Sequence, residues 1–201
     1  MAKIKLTKTE LKAQNDALKR FLRFLPMLQL KKQQLQGEIA GISAKAEAVA
    51  AREKAAREGM ESWISLFSAP GELPEDLVAL KEVRVSKANI AGVEIPVFEG
   101  IETETKQMDL WATPAWLDDA AGAVASIIAL RSEREVLERQ RDLIAEELRT
   151  TSQRVNLFEK VKIPECRENI RVIKIAIGDE QTAAVTRGKT AKSRAPGGEA
   201  A

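Results

Sequence analysis

Taken alternately three and four residues apart, the positions from Leu11 onward are Gln14, Leu18, Phe21, Leu25, Leu28, Lys32, Leu35, Ile39, Ile42, Ala46, Val49, Glu53, Ala56, Met60, Trp63 and Phe67. Only Gln14, Lys32 and Glu53 in that series are polar. A repeat of about 3.5 residues sustained this long keeps one stripe of a helix facing a partner helix, so the pattern predicts a coiled-coil seam. At about 1.5 Å per residue, a helix over 11–67 is a rod of roughly 85 Å. Pro26 predicts a bend near its start, and Gly37, Gly41 and Gly59 each cost about 1 kcal/mol relative to Ala.

A second seam runs through Trp116, Ala120, Ala123, Ile127, Leu130, Arg134, Leu137, Arg141, Ile144, Leu148, Thr151, Val155 and Phe158. Arg134 and Arg141 interrupt it. A buried arginine needs a carboxylate, so both are expected to reach acidic residues of the first helix or of another protein. Strict register would next give Lys162, yet the apolar stripe resumes one residue later with Ile163, Cys166, Ile170, Ile173 and Ile177. Pro164 sits at that slip. A proline inside a helix removes a hydrogen bond and clashes with the carbonyl four residues back, here Lys160, so the helix is expected to bend or change its packing there.

Between the seams the pattern changes. The segment "SAPGELPEDL" reads as a turn, and "VRVSKANIAGVEIPVFEGIE" alternates in the strand manner, with Val83 and Val85, then Val93, Ile95 and Val97. Gly92 is the natural turn and Pro96 belongs on an edge. The fold expected is therefore all-α: a long antiparallel two-helix coiled coil of the N- and C-terminal helices, with a short β-hairpin insert. The parts are residues 1–67 for the first helix, 68–115 for the turn and hairpin, 116–180 for the second helix with its break near Pro164, and 181–201 for a mobile basic tail. Trp63, Phe67 and Trp116 fall near the hairpin end, where core packing is the plain reading and an aromatic docking patch the sharper one.

The chain has no histidine, which removes triads based on His, imidazole metal sites and His proton relays together. Its single Cys166 falls on the apolar stripe and reads as a core thiol. "GKT" at Gly188 to Thr190 resembles half a phosphate-binding loop, but the first glycine of that motif would fall on Ala183. Asp118 with Asp119 and Glu146 with Glu147 read as a helix N-terminus or a solvated face. No catalytic, cofactor or metal residue is assigned. Charged residues make up 31% of the chain, yet its net charge is only +2, so no general footprint for nucleic acid or an anionic membrane appears. No apolar run is long enough to cross a membrane and the first residues lack an apolar signal core, so the chain is expected in the cytoplasm without direct membrane insertion.

Two stretches carry a resemblance. "KLTKTELKAQNDALKRFLRFLPMLQLKKQQLQGEI", residues 5–39, resembles the first helix of the D subunit of the V-type and A-type rotary ATPases, especially its bacterial form. "RVNLFEKVKIP" is similar to that family's signature at Arg154, Val155, Asn156, Glu159, Ile163 and Pro164, and "NIAGVEIPVFE" resembles its insert. Coverage is most of the chain, from about residue 3 to 180. The resemblance implies a non-catalytic central rotor shaft, peripheral to the inner membrane, whose two chain ends enter a catalytic head of A and B subunits. It implies a small stalk partner, the F subunit, on the shaft and a membrane-side adaptor of the C or d type beyond the hairpin. Rotation would couple ATP synthesis or hydrolysis in the head to proton or sodium transport. The rival readings are a structural adaptor coiled coil unrelated to ATPases and a rod that binds nucleic acid through its basic tail.

Overall fold

The computed structural model describes residues 4–61, 77–105, 114 and 116–194. Helix α1 spans Lys8–Met60, strands β1 and β2 span Val78–Ile90 and Val93–Thr105, and helix α2 spans Leu117–Leu157. A π-helical turn, Phe158–Lys162, then leads into α3, Ile163–Arg194. The chain is thus mostly helical, with one two-stranded antiparallel hairpin among the described residues. It divides into two compact units: residues 31–150, and residues 1–30 together with 151–201. Trp63, Phe67, most of the turn segment before β1 and the last seven residues lie outside the described residues.

Helix α1 starts where Thr7 can cap it. The Thr7 hydroxyl accepts the Glu10 backbone N–H at 3.3 Å, one half of a capping box. Every seam position from Leu11 to Met60 is buried or half-buried, and Leu35, Ile42, Val49, Glu53 and Met60 are the buried ones. Helix α1 runs through Pro26 as one element. Asp118 and Asp119 occupy the first turn of α2, where carboxylates oppose the positive end of the helix dipole.

In the unit of residues 31–150, Leu35, Ile42, Ile144 and Ile95 form one core, so the hairpin packs on both helices. Leu77, Leu117, Ala120 and Ala121 form a second. Lys31 donates to Glu147 at 2.6 Å and Arg134 to Glu53 at 2.8 Å. As numbers rise along α1 they fall along α2, the order of antiparallel neighbours. In the other unit, the Phe21 and Phe158 rings lie 5.0 Å apart and Asn169 donates to Gln14 at 3.4 Å, in the same descending order.

The hairpin is larger than its alternation predicts, with 13 residues in each strand. Its turn is Ala91–Gly92, both at positive φ (52° and 86°), the pattern of a type I′ turn whose twist suits paired strands. The Asn89 side chain accepts the Gly92 N–H at 3.0 Å. Register shifts between Arg84 and Val85, because Arg84 pairs with Gly100 and Val85 with Phe98, leaving Glu99 over. Across from that bulge the burial of β1 changes phase: Val83 is half-buried while Val85 is 49% exposed. Pro96 occupies a strand with a free edge and uses its carbonyl to accept the Gln140 amide.

Residues 181–194 show no apolar period, yet they continue α3. Every residue from Gly178 to Arg194 is exposed. The hydroxyls of Thr182, Thr186 and Thr190 each bond back to the carbonyl four residues earlier, which satisfies them without leaving the helix.

Candidate assembly surface at the helix register break

The one-residue slip between Phe158 and Ile163 is met by the π turn. Its bonds close over five residues instead of four, and the Ile163 N–H donates to the Phe158 carbonyl. One extra residue is thereby absorbed without breaking the helix. Pro164 follows at once, and lacking an N–H it can donate to neither the Lys160 nor the Glu159 carbonyl. The wider turn puts the proline where a missing donor costs least.

The stripe consequently stays buried on both sides of the turn. Thr151 and Val155 are 1% and 5% exposed before it, and Ile163, Cys166, Ile170 and Ile173 are all buried after it. Burial pushes the Cys166 thiol above its ordinary value, with Glu165 adding to the rise. Of the six signature residues, Val155 and Ile163 face inward while Arg154, Asn156, Glu159 and Pro164 are exposed. Among the described residues, Arg154, Asn156 and Glu159 make no side-chain hydrogen bond or ion pair. Beside the turn lies an open groove of about 850 Å³, lined by Lys5, Gln14, Val161, Pro164, Glu165 and Asn169.

Apolar exposure concentrates near this turn. Leu22, Phe24, Met27 and Leu30 are 45–67% exposed on α1, and Leu157 and Val161 are 44% and 49% exposed on the facing segment. Phe21, Leu25 and Leu28 take the inward positions of the same stretch. This part of α1 is therefore apolar on its outer as well as its inner face. A helix apolar all round belongs in an interior with more than one neighbour.

The two seam arginines part company. Arg134 meets Glu53, which is 3% exposed and also accepts Arg57 at 2.6 Å. Arg141 is exposed and pairs with its own neighbour, Asp142. Gln140 is the inward residue there, because α2 faces the hairpin at that level. Gln140 was not legible as a core residue, since a lone glutamine among charges reads as solvated. A polar pair on the two seams, Glu53 and Arg134, was legible. Among the described residues there is no cluster of metal-binding side chains and no helix long and apolar enough to cross a membrane.

A family model described as the D subunit of ATP synthase matches residues 10–193. The chain is 48% identical over 193 residues to the V-type ATP synthase D subunit of Borreliella burgdorferi, covering 96% of this chain and 95% of that one. It is 34% identical over 196 residues to the protein of that name from Chlamydia trachomatis serovar L2, with 96% of each covered. The Chlamydia felis protein of that name is 33% identical over 197 residues, with 96% and 94% covered.

Proposed function

Since the chain belongs to the family of ATP synthase D subunits, we propose that it is the central rotor shaft of a V-type ATP synthase. In this reading α1 pairs with α2 and α3 as an antiparallel coiled coil. The chain ends enter the catalytic head of A and B subunits, and the hairpin end points toward a membrane-side adaptor of the C or d type. The small F subunit binds along the shaft. Catalysis belongs to the head, and this chain contributes no catalytic residue, cofactor or metal. Its turning couples ATP synthesis or hydrolysis to proton or sodium movement, on the cytoplasmic side and peripheral to the inner membrane.

The observation that carries the reading is the apolar outer face of α1 at Leu22, Phe24, Met27 and Leu30. A two-helix pair in water does not need it, while a shaft enclosed by other chains does. The exposed Arg154, Asn156 and Glu159 supply polar groups for the same surroundings. A stiff pair whose faces differ can bias otherwise similar catalytic sites into different states.

The test is a reversible cross-link. Cys166→Ala removes the native thiol, and Ala176→Cys or Ala183→Cys places a new one for a matching cysteine on the head. ATP hydrolysis by the assembled complex is measured oxidised and then reduced. Turnover should fall with cross-link yield and return on reduction. Full hydrolysis at complete cross-linking refutes rotation and leaves the structural adaptor.

A further inference from the structure

Between Phe158 and Ile163 the chain holds one residue more than an α-helix needs, and the π turn stores it. We propose that this turn is a movable one-residue insert, and that Pro164 is the stop that holds it in place. Such an insert is a property of the chain itself and stands whether or not the rotor reading does.

A π turn travels when a bond over five residues is exchanged for one over four, and each residue it passes turns by about 100° around the helix axis. Within Glu159–Lys162 no side chain is buried, so nothing is lost wherever the surplus sits there. Travel toward the N-terminus would carry the Phe158 ring off Phe21 and then turn out Val155 and Thr151. Travel toward the C-terminus would turn out Ile163 and Cys166 and break the Lys162–Glu165 pair at 3.1 Å. Travel in either direction would leave Pro164 in an ordinary α turn, with its ring against the Lys160 carbonyl. Burial and the proline therefore both hold the insert where it is, and the proline does so against travel in either direction. The position of the insert decides which residues of α3 face outward, so a stop at Pro164 fixes the face that α3 presents to its surroundings.

Cys166, the sole thiol of the chain, is 5% exposed and reports the movement directly. The experiment follows alkylation of Cys166 by a maleimide in the native full-length protein at fixed pH. Pro164→Ala should accelerate labelling by about tenfold or more, because the steric stop is gone. Its urea midpoint should stay level or rise. A second variant, Pro164→Ala with Val161 deleted, has no surplus residue and keeps both stripes in one phase, so labelling should return to the wild-type rate. Equal labelling of Pro164→Ala and wild type overturns the proposal, as does fast labelling that survives the deletion. Labelling of Pro164→Ala that rises with urea as steeply as global unfolding does also overturns it, since exposure would then come from unfolding of the whole chain.

Discussion

The carboxylate of Glu53 offers a sharp test of how the two helices are matched. It is 3% exposed and holds Arg134 at 2.8 Å on one oxygen and Arg57 at 2.6 Å on the other. Arg134→Met removes the partner from α2 and leaves a buried negative charge. Breaking such a pair costs about 3–5 kcal/mol, and the lower end applies because Arg57 remains. Glu53→Leu is milder. The Arg134 Nε is buried without a hydrogen bond, but the side chain as a whole is 33% exposed and Glu138 lies 3.6 Å from that Nε, so the stranded cation keeps contact with water and a nearby carboxylate at a cost of about 1 kcal/mol. With both changes made together, two apolar side chains occupy the site and stability should return to within about 1 kcal/mol of wild type, or exceed it. The cycle thus predicts a coupling of about 3 kcal/mol. Urea unfolding followed by far-ultraviolet circular dichroism reads all four proteins, and Arg134→Met alone should lower Tm by roughly 6–12 °C in a chain of this size. An Arg134→Met cost under about 1 kcal/mol, or a double variant as unstable as the two single changes summed, would refute the argument.

Two further changes test the hairpin and the buried thiol. Ala91 holds φ = 52°, a conformation that costs an ordinary L residue about 1 kcal/mol. Ala91→Asn creates the Asn-Gly pair that type I′ turns favour, so it should raise stability by up to that amount, and a lower thermal midpoint would count against the turn assignment. Burial raises the Cys166 thiol above its ordinary 9.0, so the folded state favours the neutral form. The stability this contributes is fully present below pH 9.0 and is lost as pH rises through the raised value. Wild type should therefore lose ground to Cys166→Val in urea midpoints measured above about pH 9, and a constant gap across that range would contradict it.

Periodicity made most of the helical architecture readable, because burial is what periodicity records. The α1 seam from Leu11 to Met60 matches the buried and half-buried positions without a slip. The slip before Ile163 was equally plain, but a phase change of one residue can be met by a bend, a new neighbour or a π turn. Only backbone hydrogen bonds decide among them. The length of the hairpin was hidden because the register shifts twice, between Leu80 and Glu82 and between Arg84 and Val85, so no single alternation runs through both strands. The helix over residues 181–194 was hidden for another reason: it buries nothing, and its hydroxyls are satisfied locally. At the candidate surface, resemblance pointed to Arg154, Asn156 and Glu159. Their exposure without a partner among the described residues is what sequence could not supply.

The apolar outer face of α1 also bears on how the chain lives before it has partners. A copy alone in water keeps Leu22, Phe24, Met27 and Leu30 wet, and exposed apolar patches of that kind invite self-association and capture by chaperones and proteases. On the rotor reading, one shaft serves one head, so every surplus copy stays in that state until it is cleared. Balanced synthesis of the chain and its neighbours then matters as much as their affinity. Raising the level of this one protein alone should yield aggregate or degradation products in place of additional assembled complexes.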